Sequence, residues 1–154
     1  MSRTLIITRG LPGAGKTTRA MSWVAQDPQR RARVGSDQIA AMLHPHALTG
    51  GPATYSSDFA KREQLVVNAA IEALLRSGID VVCDDPYLLP HYLEAVRELA
   101  ARCDAEPVVW DMTDIDVETC IARDAQRGRR SIGEQEIRQQ YQVYRSHKTA
   151  RDGV

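Results

Sequence analysis

"GLPGAGKTT", residues 10–18, follows the apolar run "TLIIT" of residues 4–8 and precedes a helix-forming segment. Gly10, Gly15, Lys16 and Thr17 fit the spacing G-x-x-x-x-G-K-[ST] of a phosphate-binding P-loop, the Walker A motif. That motif requires a strand before it and a helix after it, and both are expected here. In such a loop, backbone N–H groups converge on phosphate oxygens, helped by the positive end of the helix dipole. Nucleotide binding is therefore assigned to Gly10, Gly13, Ala14, Gly15, Lys16, Thr17 and Thr18. The Lys16 ammonium reaches the β- and γ-phosphates, and the Thr17 hydroxyl is a ligand for Mg²⁺. The competing reading is a glycine-rich turn that binds nothing.

Working outward, apolar runs of strand length alternate with amphipathic segments of helix length, the pattern of a parallel sheet with crossover helices. Strands are expected near 4–8, 32–35, 79–83 and 106–111. The clearest helix is "SDFAKREQLVVNAAIEALLRSG", where Phe59, Val66, Val67, Ala70, Ile71, Leu74 and Leu75 recur at three- and four-residue spacing up to the stop at Gly78. Ile137, Tyr141 and Tyr144 give the tail helical spacing. Between them, residues 45–57, "PHALTGGPATYSS", lack periodicity and are a candidate substrate loop.

A chain of 154 residues is the length of one compact domain, so 1–154 is expected to be a single unit. With 43% hydrophobic and 26% charged residues, neither disorder nor a fibrous class is indicated. No apolar stretch is long enough for a signal peptide or a membrane span, which points to a cytoplasmic protein without a membrane partner. Cys83, Cys103 and Cys120 lack metal-ligand spacing and read as reduced core thiols. The formal net charge of zero provides no global field for a polyanion. Charge is nevertheless uneven, with eight Lys or Arg against four acids from Ile121 onward. Nothing marks a stable protein partner.

"TRGLPGAGKTT", an acid just after the second strand, "DD" after the third and "IARDAQRGRR" together resemble the bacteriophage polynucleotide 5′-kinase family of P-loop phosphotransferases over nearly the whole chain. The resemblance implies an α/β P-loop kinase fold, with a four-stranded parallel sheet flanked by helices and a helical lid bearing arginines. It also implies ATP and Mg²⁺ as cofactors, with nucleic acid, most naturally DNA, as the acceptor in a host cytoplasm. Asp37 matches the family's general base, and a carboxylate at a strand's C-terminal end is well placed for that role. As an alternative, Asp37 caps the helix "QIAAML". Asp85 matches an acid that organises the acceptor side, and Asp84 beside it could hold a magnesium-bound water. Asp85 could instead cap "YLLPHYLEAV". Arg127 matches a lid arginine that clamps the transferring phosphoryl group, and Arg123, one helical turn earlier, matches a second. A solvated helical face is the alternative for both.

Departures from the family pattern fall on the acceptor side. The family carries an arginine near position 40 that grips a strand phosphate, whereas Ala40 stands here, and Asp85 is followed by Pro86 and Tyr87 instead of Thr and Asn. Tyr87 is accordingly a candidate for stacking on an acceptor base. The default acceptor is a polynucleotide 5′-OH. The alternatives are the hydroxymethyl group of 5-hydroxymethyluracil in phage DNA, a small molecule such as a sugar, nucleoside or antibiotic, and a non-catalytic nucleotide switch.

Overall fold

Alternation along the central strand β1 (Arg3–Arg9) sets the layers of the molecule. Leu5 and Ile7 point to one face and Ile6 and Thr8 to the other, all almost completely buried. In the computed structural model, which describes residues 2–44 and 56–152, the chain then continues through α1 (Lys16–Gln26), β2 (Arg31–Val34), α2 (Ser36–Leu43) and α3 (Ser57–Arg76). It is completed by β3 (Asp80–Cys83), α4 (Pro90–Arg102), β4 (Ala105–Asp111), α5 (Val117–Ala125), a 3-10 turn at Gly128–Arg130 and α6 (Glu134–Asp152). All pairings are parallel, in the order β2-β3-β1-β4, with Leu5 opposite Val81 and Pro107. Pro107 cannot donate to a ladder, and it sits on an edge strand where that loss is tolerated.

The four expected strands and the long helix from Ser57 form within a residue or two of their sequence bounds, whereas the helix read from Tyr87 starts at Pro90 and runs on to Arg102. On the first sheet face, Leu5, Ile7, Val81 and Cys83 pack against Val67, Ile71 and Leu75 of α3 and Leu93, Val96 and Leu99 of α4. The opposite face is thinner: Ile6 and Val82 meet Ala20 of α1, with Trp23 and Trp110 flanking. Ile137 and Tyr144 of α6 close a third cluster with Leu11, Ala14, Leu88 and Cys120. This third cluster docks α5 and α6 on the phosphate loop. Cys83 and Cys120 are buried free thiols and Cys103 is half-buried, as their apolar neighbourhoods suggested. Because every strand runs the same way, the segments after β1, β2, β3 and β4 gather along one edge of the sheet, where α/β folds bind ligands. Residues 45–55 of the candidate substrate loop lie outside the described residues. Its last two are placed: Ser56 caps α3 by accepting from the Phe59 N–H at 3.1 Å, and Ser57 opens the helix.

Candidate active site

The loop between β1 and α1 is held from three sides. Gly13 has φ 85°, and a Cβ there would sit 2.2 Å from the Cys120 carbonyl oxygen, so only glycine allows the backbone of α5 to approach. The Gly10 N–H donates to the Pro86 carbonyl at 3.0 Å, tying the loop to the segment after β3. The Lys16 side chain, 8% exposed, donates from Nζ to the Leu11 carbonyl at 2.8 Å. Burial pulls its pKa down to about 8, with Asp84 opposing the shift and Arg127 adding to it. Lys16 is thus a desolvated cation.

Beside it lies a line of carboxylates. Thr17 Oγ1 donates to Asp84 Oδ2 at 2.7 Å, joining the P-loop hydroxyl to the first acid after β3. The same Oδ2 accepts from Arg33 Nε at 2.7 Å, and Arg33 Nη2 donates to both Asp37 oxygens at 3.0 Å. Arg33 therefore bridges the two acids, using the fixed fork of a guanidinium. Asp37 does not cap α2. The N-cap is Gly35, and Asp37 lies in the first turn with its side chain half exposed.

Asp85 does not cap α4 either, because that helix starts at Pro90 after Leu89. Its carboxylate turns toward β2 instead, accepting from the Ser36 N–H at 3.2 Å and from the Ser36 hydroxyl. Burial pushes Asp85 up to about 7, the Ser36 hydrogen bonds offset part of that rise, and Asp84 and Asp37 add to it. Because the folded state holds this proton more tightly than the unfolded chain, the resulting stabilisation is complete below the ordinary carboxylate range and lost as pH rises through about 7. Asp85→Asn is therefore expected to raise Tm more at pH 8 than at pH 4. Melts at both pH values check this, and an equal change at the two would contradict it.

Arg123 and Arg127, the arginines expected to form a lid, flank the loop. Arg123 of α5 reaches toward the Gly13 and Ala14 carbonyls at 3.5 and 3.4 Å. Arg127 follows α5, with its guanidinium 3.7 Å from Asp124 Oδ1 and its side chain 42% exposed. Asp124, itself buried, accepts from Ser131 Oγ at 2.6 Å and from the N–H groups of Ile132 and Gly133. That carboxylate fastens the turn that presents Arg127.

Two cavities open on either side of this constellation. One, of about 670 Å³, runs along Gly15, Thr18, Arg19 and Trp110 to Ile115 and Arg123, on the donor side. Arg19 covers the Trp110 ring at 4.1 Å. The other, of about 610 Å³, has Ser36 and Asp85 in its lining and lies between α3, the segment 85–89 and α6. Tyr87 lines it but does not present a stacking face. The residue has φ 44°, is 8% exposed among core side chains, and Arg9 donates to the Tyr87 and Leu88 carbonyls at 3.0 Å. Tyr87 is a core residue here and not the stacking platform its position suggested. The exposed aromatic ring of that cavity is Tyr92, at 51%.

Lys16, Thr17, Asp84, Arg123 and Arg127 are thus brought together, Asp37 is joined to Asp84 through Arg33, and Asp85 is held by Ser36. Arg33, Ser36 and Tyr92 were not singled out from sequence. Among the described residues, no group of three or more His, Cys, Asp or Glu could hold a metal ion unaided. No described helix is long and apolar enough to cross a membrane.

A phosphate loop on a parallel sheet, with its threonine joined to a carboxylate after β3 and arginines arching over it, defines a P-loop kinase fold. Residues 5–147 match the model of the AAA domain family, and the chain belongs to that family. Among curated proteins none matches it. Solved structures give the same fold. The Pnkp1/Rnl/Hen1 RNA repair complex superposes with TM-score 0.73 at 21% identity, over 95% of this chain and 46% of the other. A further structure of the Pnkp1/Rnl/Hen1 complex gives 0.68 at 24% identity, over 79% of this chain and 39% of the other. The Mycobacterium tuberculosis APS kinase CysC in complex with AMPPNP and APS gives 0.60 at 17%, over 80% and 69%. The chain spans less than half the length of the first two.

Proposed function

We propose that this chain is an ATP-dependent phosphotransferase that moves the γ-phosphoryl group to a hydroxyl of nucleic acid, by default the 5′-OH of a polynucleotide. The observation that carries the reading is the continuous chain Thr17–Asp84–Arg33–Asp37, which links the phosphate loop to a carboxylate on the acceptor side. Similarity to a nucleotide-analogue complex of a kinase supports the donor, and similarity to an RNA repair complex supports the acceptor. The donor motifs that resemble polynucleotide 5′-kinases point the same way.

In this reading the acceptor oxygen forms a bond to the γ-phosphorus as the bond to the bridging oxygen of ADP breaks. Asp37 accepts the hydroxyl proton, its orientation fixed by the Arg33 fork. Lys16, Arg123 and Arg127 neutralise charge on the phosphates. Thr17 and Asp84 offer hydroxyl and carboxylate oxygens, the hard donors that suit Mg²⁺ together with nucleotide phosphates and water. When bound there, Mg²⁺ would neutralise charge shared by the β- and γ-phosphates.

The test is transfer of label from γ-labelled ATP to a 5′-OH oligonucleotide in the presence of Mg²⁺. Asp37→Asn is expected to bind ATP normally and lose about 10²-fold or more in transfer. Full transfer by Asp37→Asn would remove the base from the mechanism. ATP binding without transfer to any hydroxyl would make the chain a nucleotide switch.

A further inference from the structure

We infer that the acceptor cavity has no phosphate subsite and seats an uncharged nucleoside unit by its base. The inference rests on the kinase reading above and adds what the acceptor must look like. Lys61 is the one cation among the described lining residues, set against Glu63, Glu136 and Asp85. Among the described residues from Val34 to His44 and from Ser56 to Ala60 there is no Lys or Arg.

Three guanidinium groups beside this cavity are already engaged. Arg33 is held by Asp84 and Asp37, Arg9 by the carbonyls of Tyr87 and Leu88, and Arg138 by Glu118 and Glu134. A strand phosphate entering this cavity would lose its water next to the Glu63 and Glu136 carboxylates, which like charge makes costly.

The remaining surface suits a base. Tyr92 exposes an aromatic ring, Leu89 and Val143 supply apolar wall, and Gln139 and Gln140 bring primary amides. Gln140 donates from Nε2 to Glu136 Oε1 at 3.1 Å, which leaves its carbonyl oxygen as an acceptor. Amides pair with base edges, and an aromatic ring offers a face on which a base stacks. A volume of about 610 Å³ lies within the range of small-molecule sites. A nucleoside placed there by its base brings its own hydroxyl to the end of the cavity lined by Asp85 and Ser36, the residue before Asp37, while the rest of any strand stays in solvent.

The experiment compares kcat/KM for thymidine, glucose and a 5′-OH oligonucleotide at saturating ATP, in 50 and 200 mM salt. Thymidine is expected within about tenfold of the oligonucleotide. The oligonucleotide should lose less than about threefold between the two salts, roughly the loss of a single phosphate contact to one strand. Tyr92→Ala should raise KM for both nucleic acceptors about tenfold and leave KM for ATP unchanged.

A steep salt loss together with inert thymidine would overturn the inference and show that phosphates are gripped. Unchanged acceptor KM in Tyr92→Ala would overturn base seating. Label on glucose alone would overturn it while leaving the kinase reading intact. No label on any acceptor, with ATP still bound, would remove both.

Discussion

Lys16→Ala is expected to lower phosphoryl transfer about 10³-fold or more, because it deletes the one ammonium buried within the phosphate loop. In a desolvated site a preorganised charge stabilises developing negative charge by several kcal/mol, well beyond its value in water. The wild-type side chain is 8% exposed and already held by the Leu11 carbonyl, so it needs little reorganisation to meet a phosphate. Its pKa of about 8 adds a second readout. The unliganded protein loses this charge as pH rises through about 8, so ATP affinity should weaken between pH 7 and 9 in wild type. In Lys16→Ala that part of the pH dependence should vanish. Titrations of ATP at several pH values, alongside single-turnover transfer, measure both effects. Near-normal turnover by the variant would take the loop out of the mechanism.

The donor side of this site was legible because it is local. The P-loop residues are contiguous, and the strand and helix around them carry strong hydrophobic periodicity, so Lys16 and Thr17 could be assigned before any contact was known. Asp84 and Asp37 were legible as residue types at strand ends, but the bond between their roles was not. Arg33 joins them across a separation of 51 residues from Asp84, a pairing that depends on β2 lying beside β3. Nothing in "ARVG" distinguishes such a residue from an ordinary strand arginine.

The tyrosines show a different limit. Tyr87 was singled out by its place after "DDP", yet its left-handed backbone directs the ring into the core, a conformation rare for a bulky residue and one that sequence does not announce. Tyr92, near the start of α4, reaches the cavity instead. Similarly, the capping readings of Asp37 and Asp85 were chemically reasonable. They fail because Gly35 and Leu89 occupy the cap positions and leave both carboxylates to Arg33 and Ser36.

Arg127→Lys is expected to be nearly as damaging as Arg127→Ala, each lowering kcat by about 10³-fold with little change in KM for ATP. The reason lies in shape as much as charge. Phosphoryl transfer passes through a loose transition state with charge spread over three equatorial oxygens, and a planar guanidinium can donate to two of them at once. Lysine keeps a point charge but loses the fork. Three observations favour such a role: the contact of Arg127 with Asp124 is long at 3.7 Å, its side chain is 42% exposed, and it lies close enough to Lys16 for the two charges to repel. Asp124 meanwhile anchors Ser131, Ile132 and Gly133, which fixes the turn behind Arg127 and leaves its guanidinium without a close hydrogen bond to that carboxylate. A lid cation held this way contributes little to nucleotide binding and most when charge develops in transfer, which is why kcat and KM should separate. Steady-state kinetics of the two variants against wild type decide the point. If lysine restores most of the activity, Arg127 acts as a charge alone, and equal losses in KM and kcat/KM would make it a nucleotide-binding residue instead.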